Sequence, residues 1–392
     1  MKKTIKLFYL HGFFREFVLL YPVYLLMFES RGLSIFEISA LLMVWSVPVF
    51  LLEIPSGALA DMWSRKNMIV LGTALKLAGF AIWLLAHDFV LFAAGFILWG
   101  MQEAFCSGST EALLFDVLKE HDMERDYEKY AGRFRFFSGI AMAMAMATGG
   151  CVAASGFHLA AILSIASIGL SMLFALMLKD VKNPILEENS WKLYLQQLKN
   201  GFALSKKSIR LTITLALCAL IGVVPGVLEE YDQLYAQRVG LSFGMVGVWG
   251  ASRTGMESLG CWFADRAKRI FGTAKGISIL AAVAGLLLFV SVYVNEVYML
   301  PVYGLFYMLT SCAYVLAEGR IQRLADSSQR ATVLSINSLL INLSGFIILL
   351  GFGVICEYWS MRIGFLAMAV LLVLLIFALA LADKVIRKTQ KE

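Results

Sequence analysis

Apolar residues along this chain fall in long continuous runs, separated by short polar breaks. Twelve such runs cover residues 7–29, 34–60, 67–86, 89–115, 131–155, 157–178, 209–239, 241–264, 272–293, 297–316, 331–355 and 362–381. A helix that crosses a bilayer needs roughly 20 mostly apolar residues. Only helices or closed barrels satisfy the backbone in lipid, and these runs lack the alternation of strands. The pattern predicts an all-α integral membrane protein with twelve transmembrane helices.

Composition agrees with the pattern. Hydrophobic residues make up 60% of the chain and charged residues 16%, and mean hydropathy is +0.76. A soluble globule is about half apolar and about a quarter charged. Charge then sets the orientation, because Lys and Arg concentrate in cytoplasmic loops. Of the 34 Lys and Arg, Arg15, Lys76 and Arg253 lie deep within spans, and Arg31, Arg238 and Arg362 lie in the loops of one side or at the span ends beside them. The other 28 belong to the seven segments of the opposite side and the span ends that border them, which include both ends of the chain. Both termini are therefore expected in the cytoplasm. The net charge of +6 reflects topology and is no argument for nucleic-acid binding. The Lys-rich start is read as part of the first span: its apolar run is too long for a signal peptide, contains Arg15 and Glu16, and lacks a small-x-small cleavage site. The six cysteines fall singly in different spans, which argues against disulfides and against a metal cluster.

The longest inner connection divides the chain into a first bundle (1–180), a linker (181–208) and a second bundle (209–392). Trp191, Leu195 and Leu198 recur at helical spacing in the linker, which predicts an amphipathic helix on the inner leaflet. The bundles echo each other in sequence. Arg31-Gly32-Leu33-Ser34 returns as Val239-Gly240-Leu241-Ser242. Asp61 with Arg65 returns as Asp265 with Arg269, and Glu111 returns as Glu318. Such parallel repeats mark transporters whose halves rock about a central site.

Between the second and third spans stands Gly57-Ala58-Leu59-Ala60-Asp61-Met62-Trp63-Ser64-Arg65-Lys66. With the span count, linker and repeat, it resembles the major facilitator superfamily, whose signature here is G-x-L-A-D-R-x-G-R-K/R. Met62 and Ser64 depart from it. By resemblance, Gly57, Asp61 and Arg65 belong to an inner conformational latch with Asp116, and Asp265, Arg269 and Asp326 are the counterparts. The run from Gly132 to Gly149 and Gly150 is similar to the antiporter motif of the family's drug/proton exchangers. Ala141, Ala145 and Met146 stand there for two glycines and the proline. The resemblance also implies that spans 1, 4, 7 and 10 line the solute path.

Ionisable residues inside a membrane are costly and mark function. Arg15, Glu16, Glu103, Glu229, Glu230, Arg253 and Glu257 are the candidates for solute binding and proton coupling. Arg253 and Glu257, spaced i,i+4, can neutralise each other. Arg15 and Glu16 are adjacent and are expected to point apart and take separate partners. Lys76 is expected to pair with a carboxylate on the second or fourth span. Deep within the spans, acids (Glu16, Glu103, Glu229, Glu230, Asp232 and Glu257) outnumber the bases Arg15, Lys76 and Arg253. A carboxyl in a low-dielectric cavity takes up protons more readily, because burial disfavours its charged form. This suits proton coupling, with sodium as an alternative, and a cationic or zwitterionic solute.

No Walker loop or HExxH is present, so neither ATP-driven transport nor an enzyme is expected. No cofactor or metal is called for. The expectation is a monomeric secondary transporter of the bacterial inner membrane, exporting an amphipathic solute by proton antiport. The alternatives are a proton-coupled importer of a nutrient and a non-transporting receptor or assembly partner on the same scaffold.

Overall fold

The computed structural model describes residues 1–106, 109–123, 126–181, 209–324 and 330–389. The linker and its predicted amphipathic helix lie outside the described residues. Fourteen α-helices are described: α1 Lys2–Glu16, α2 Tyr24–Ser30, α3 Ile35–Met62, α4 Arg65–Leu85, α5 Phe89–Cys106, α6 Ser109–Lys119, α7 Tyr127–Ala154, α8 Phe157–Leu176, α9 Ile209–Arg238, α10 Phe243–Phe271, α11 Ala274–Val294, α12 Leu300–Leu324, α13 Arg330–Tyr358 and α14 Met361–Thr389. No strand occurs among the described residues. Among the described residues, ten segments are long and apolar enough to cross a membrane. The other two predicted crossings are the first span, which is broken, and α10, whose charges lower its hydropathy. The architecture is consistent with twelve crossings.

The first span corrects its prediction. One helix was expected over 7–29, but the backbone leaves the helix after Glu16 and re-enters it at Tyr24. Pro22 supplies the physical reason: it has no N–H, its ring crowds the carbonyl four residues back, and it disfavours helix at Tyr21. Apolar periodicity alone does not register this. Freed backbone groups in a membrane need new partners. Ser164 of α8 provides one, accepting from Leu20 N at 3.1 Å.

The chain forms two compact units, Met1–Trp191 with Ser242–Val248, and Lys192–Leu241 with Trp249–Glu392. In the first, α1 packs on α7 and α8, and α4 packs on α5 and α8. In the second, α9 packs on α13 and α14, and α11 packs on α12 and α14. The same neighbour pattern thus recurs with each partner shifted by half the chain.

The repeated turn is built identically in both halves. Gly32 and Gly240 adopt φ of 92° and 106°. Leu33 N reaches Phe28 O at 3.2 Å and Leu241 N reaches Ala236 O at 3.0 Å. Glycine at this left-handed position closes each preceding helix and spends its last free carbonyls. Ser34 and Glu37 then form a capping box that opens α3.

α10 carries a second correction. Its span was expected to end at 264, yet the helix continues to Phe271. Residues 265–271 contain no breaker, and Gly272 comes only afterwards. Thr273 caps α11, accepting from Gly276 N at 3.0 Å, as Ser64 caps α4, accepting from Asn67 N at 3.1 Å.

Candidate functional site

In the second unit the polar residues converge on Arg253, which is 5% exposed on α10. Its Nη2 donates to Glu229 Oε1 at 2.7 Å, and its Nη1 donates to Glu257 Oε1 at 2.7 Å. Its Nε lies 3.1 Å from Asp232 Oδ2, an ion contact outside good hydrogen-bond angle. The other oxygen of Asp232 accepts from Tyr303 at 2.5 Å and from Tyr307 at 3.0 Å, and the two hydroxyls are 3.0 Å apart. The guanidinium also sits over the Tyr307 ring, 5.2 Å from its centroid. Local periodicity builds this hub. Glu229 and Asp232 are i,i+3 on α9, Arg253 and Glu257 are i,i+4 on α10, and Tyr303 and Tyr307 are i,i+4 on α12.

Exposure divides the three acids. The side chains of Asp232, Glu257 and Glu229 are 5%, 26% and 47% exposed. One buried cation therefore faces three carboxylates, of which only Asp232 is fully enclosed. Breaking a buried ion pair costs about 3–5 kcal/mol because it leaves a charge without compensation. With all three acids ionised, the cluster carries two formal negative charges in excess. Protons or a cationic ligand balance such an excess. Glu230 lies about 100° around α9 from Glu229 and is partly buried.

In the first unit a different cluster forms at the helix break. Arg15 Nε donates to Glu16 Oε1 at 2.8 Å. This corrects the expectation that the two point apart: Glu16 is the last residue of α1, and the chain turns away immediately after it. Lys76 of α4 is 2% exposed. Its ammonium donates to Arg15 O at 3.0 Å and to the Tyr21 hydroxyl at 2.8 Å. The expected ion pair of Lys76 with a carboxylate is absent among the described residues, although Glu16 and Glu103 both act on it electrostatically. Glu103 is exposed on α5, and its neighbour Gln102 is buried. Tyr21 and Trp99 stack with centroids 5.7 Å apart. His11 is fully buried and bonds Ser171 of α8.

The pair predicted between Arg65 and Asp116 is formed at the start of α4. Arg65 opens α4, and its guanidinium donates to the Asp116 carboxylate of α6 and to Ala112 O at 3.4 Å. The surroundings of Gly57 and Asp61 and the whole of Asp326 lie outside the described residues. The second-half counterpart is arranged differently. Asp265 and Arg269 are exposed, and no ion pair joins them among the described residues. Because α10 runs on to Phe271, both sit on one helix, and Arg269 does not occupy the place of Arg65. On α7, Gly149 lies against the backbone of the broken first span: a Cβ there would stand 2.2 Å from Leu19 O. Gly150 lies equally close to Phe243 O of the same unit, whereas Gly132 borders open space.

The family profile described as Major Facilitator Superfamily matches residues 10–348. The chain belongs to the Major Facilitator Superfamily. No curated protein sequence matches it. Among solved structures, it resembles a mutant form of the nucleoside transporter NupG, with a TM-score of 0.79 and 17% identity over 97% of this chain and 98% of that one. It resembles a bacterial homologue of the human lysosomal transporter Spinster, inward-facing and unoccupied, with a TM-score of 0.75 and 15% identity over 97% and 96%. A bacterial homologue of the iron transporter ferroportin, inward-facing, gives a TM-score of 0.68 at 14% identity over 97% and 99%. At these identities the likeness is one of fold. Superfamily membership makes this a multi-pass membrane protein on a transporter scaffold that takes small-molecule solutes.

Several site residues escaped the sequence reading. Asp232 was seen as an acid in its span but not chosen, although it lies one turn from Glu229. Tyr303 and Tyr307 announce themselves only by i,i+4 spacing in the tenth span. Tyr21 and Trp99 carry no local signal, because their roles depend on the break in the first helix.

Proposed function

We propose that this protein is a proton-coupled secondary transporter that exports a cationic or zwitterionic small solute by alternating access. The observation that carries the reading is Arg253 held among Glu229, Asp232 and Glu257. The excess acid is satisfied in turn by protons and by the positive group of a solute, and that competition is the logic of antiport. The two partly exposed acids, Glu229 and Glu257, meet the solute. Asp232, closed in by two tyrosine hydroxyls, holds charge that Arg253 shares among all three. The small buried face of α7, made by Ala141, Ala145 and Gly149, supports the exporter reading. The distribution of Lys and Arg supports a bacterial inner membrane with both termini in the cytoplasm.

The test is proton movement in inside-out vesicles carrying an imposed pH gradient, challenged with cationic, zwitterionic and anionic solutes. The reading expects a cationic or zwitterionic solute to collapse the gradient, and Glu229→Gln to abolish the effect. Uptake of solute together with protons in right-side-out vesicles, without any collapse in inside-out ones, would make the protein an importer. No flux in either orientation from folded protein would favour a receptor or assembly role.

A further inference from the structure

The break in the first helix leaves an unusual set of groups around one point. In a continuous helix Arg15 O would accept from the amide of residue 19. Here Lys76 Nζ takes that place at 3.0 Å. The ammonium also donates to the Tyr21 hydroxyl at 2.8 Å. It lies 5.4 Å and 5.9 Å from the ring centroids of Tyr21 and Trp99. Glu16 and Glu103 attract it, and Arg15 opposes them. The C-terminal end of a helix carries partial negative charge, which adds to the attraction. Carbonyl ends of interrupted membrane helices are places where transporters coordinate alkali cations. This one has a carbonyl, a hydroxyl, two aromatic faces and two nearby carboxylates, yet a lysine occupies it.

We propose that the break in the first helix is a monovalent-cation site that the chain fills with its own Lys76 ammonium. Lys76 is a tethered cation. It satisfies the free carbonyl, compensates the acids Glu16 and Glu103, and fixes the angle between α1 and α2. The site therefore has no use for sodium while Lys76 is in place. Once the ammonium is removed and space is left, sodium enters. This inference rests on the first unit alone and stands apart from the proton-coupled reading of the Arg253 cluster.

The experiment is thermal unfolding of the full chain in detergent, in sodium chloride, potassium chloride and choline chloride at equal ionic strength. The wild type is expected to melt at the same temperature in all three. Lys76→Ala is expected to melt lower in choline and to recover in sodium, with a rise that grows with the logarithm of sodium concentration. Lys76→Met fills the space without charge, and is expected to melt lower with no response to sodium. If Lys76→Ala does not fold, Lys76→Asn leaves similar room and is measured in its place, with the same sodium response expected. The inference is overturned if sodium specifically stabilises the wild type, if neither shortened variant responds to sodium over choline, or if Lys76→Met is as stable as the wild type.

Discussion

Around Arg253 three carboxylates crowd one guanidinium, whereas around Lys76 two cations, Arg15 and Lys76, meet two acids, Glu16 and Glu103. Each cluster centres on a buried cation and draws acids from counterpart helices, Glu16 from α1 and Glu229 with Asp232 from α9. Their balance differs. The Lys76 cluster is formally neutral and turns its lysine on a broken backbone. The Arg253 cluster is formally negative and leaves two of its acids open. A neutral cluster can serve as a structural fixture. A charged one needs something to arrive, and that difference assigns exchange to the second unit and hinge support to the first.

The comparison can be broken most forcefully at Arg253. Arg253→Met leaves Asp232, Glu229 and Glu257 without their cation, and a stability loss of about 3–5 kcal/mol is expected. Thermal melting in detergent should show it, with partial recovery at low pH as the acids take up protons. Arg15→Met should cost clearly less, because Glu16 is partly exposed and Lys76 stays close. Equal losses in the two variants would erase the distinction between the clusters.

Asp232→Asn keeps the shape and both tyrosine contacts while removing one of the excess charges. Folded protein is expected, with proton-coupled flux lower by more than about tenfold, the factor that corresponds to about 1.4 kcal/mol. A flux measurement in vesicles, alongside a melting curve, separates this from misfolding. Next in size, Tyr303→Phe and Tyr307→Phe each remove one donor to the same oxygen of Asp232. A hydrogen bond to a charged group contributes about 1.5–3 kcal/mol. Each single change should lie at the lower end, because the remaining hydroxyl still donates, and the double variant should lose more than either.

The smallest effects are expected at the helix ends. Arg65→Ala breaks the pair with Asp116, and cysteine accessibility should report a shifted balance of states. Asp265→Asn and Arg269→Ala change exposed residues with no ion pair between them, so stability should move by no more than about 0.5 kcal/mol. A large response at Arg269 would restore the symmetric latch that the sequence repeat implied.

The sequence made the class of the protein legible because hydropathy and loop charge are summed over many residues. Single-residue geometry was harder to read. Pro22 was visible, but proline is tolerated in other helices of this chain, at Pro48, Pro55 and Pro225, so its presence did not by itself announce a break. The meeting of Arg15 with Glu16 follows from that break and could not precede it. Asp265 and Arg269 matched a motif in spacing, yet the motif's meaning depends on a turn between helices, and here the helix continues. Arg253 with Glu257 was readable from i,i+4 spacing. The addition of Glu229 and Asp232 required knowing that α9 and α10 bring those faces together.

The central claim is that excess acid around Arg253 exchanges protons for a positive solute. Calorimetry of solute binding in buffers of different ionisation enthalpy counts the protons released, and it tests the claim most directly. It would use the first cationic or zwitterionic solute that collapses the pH gradient in vesicles. The account predicts net proton release on binding to the wild type and to Lys76→Met, and little or none in the Glu229→Gln, Asp232→Asn double variant. Binding without proton release in the wild type, or undiminished release in the double variant, would contradict it.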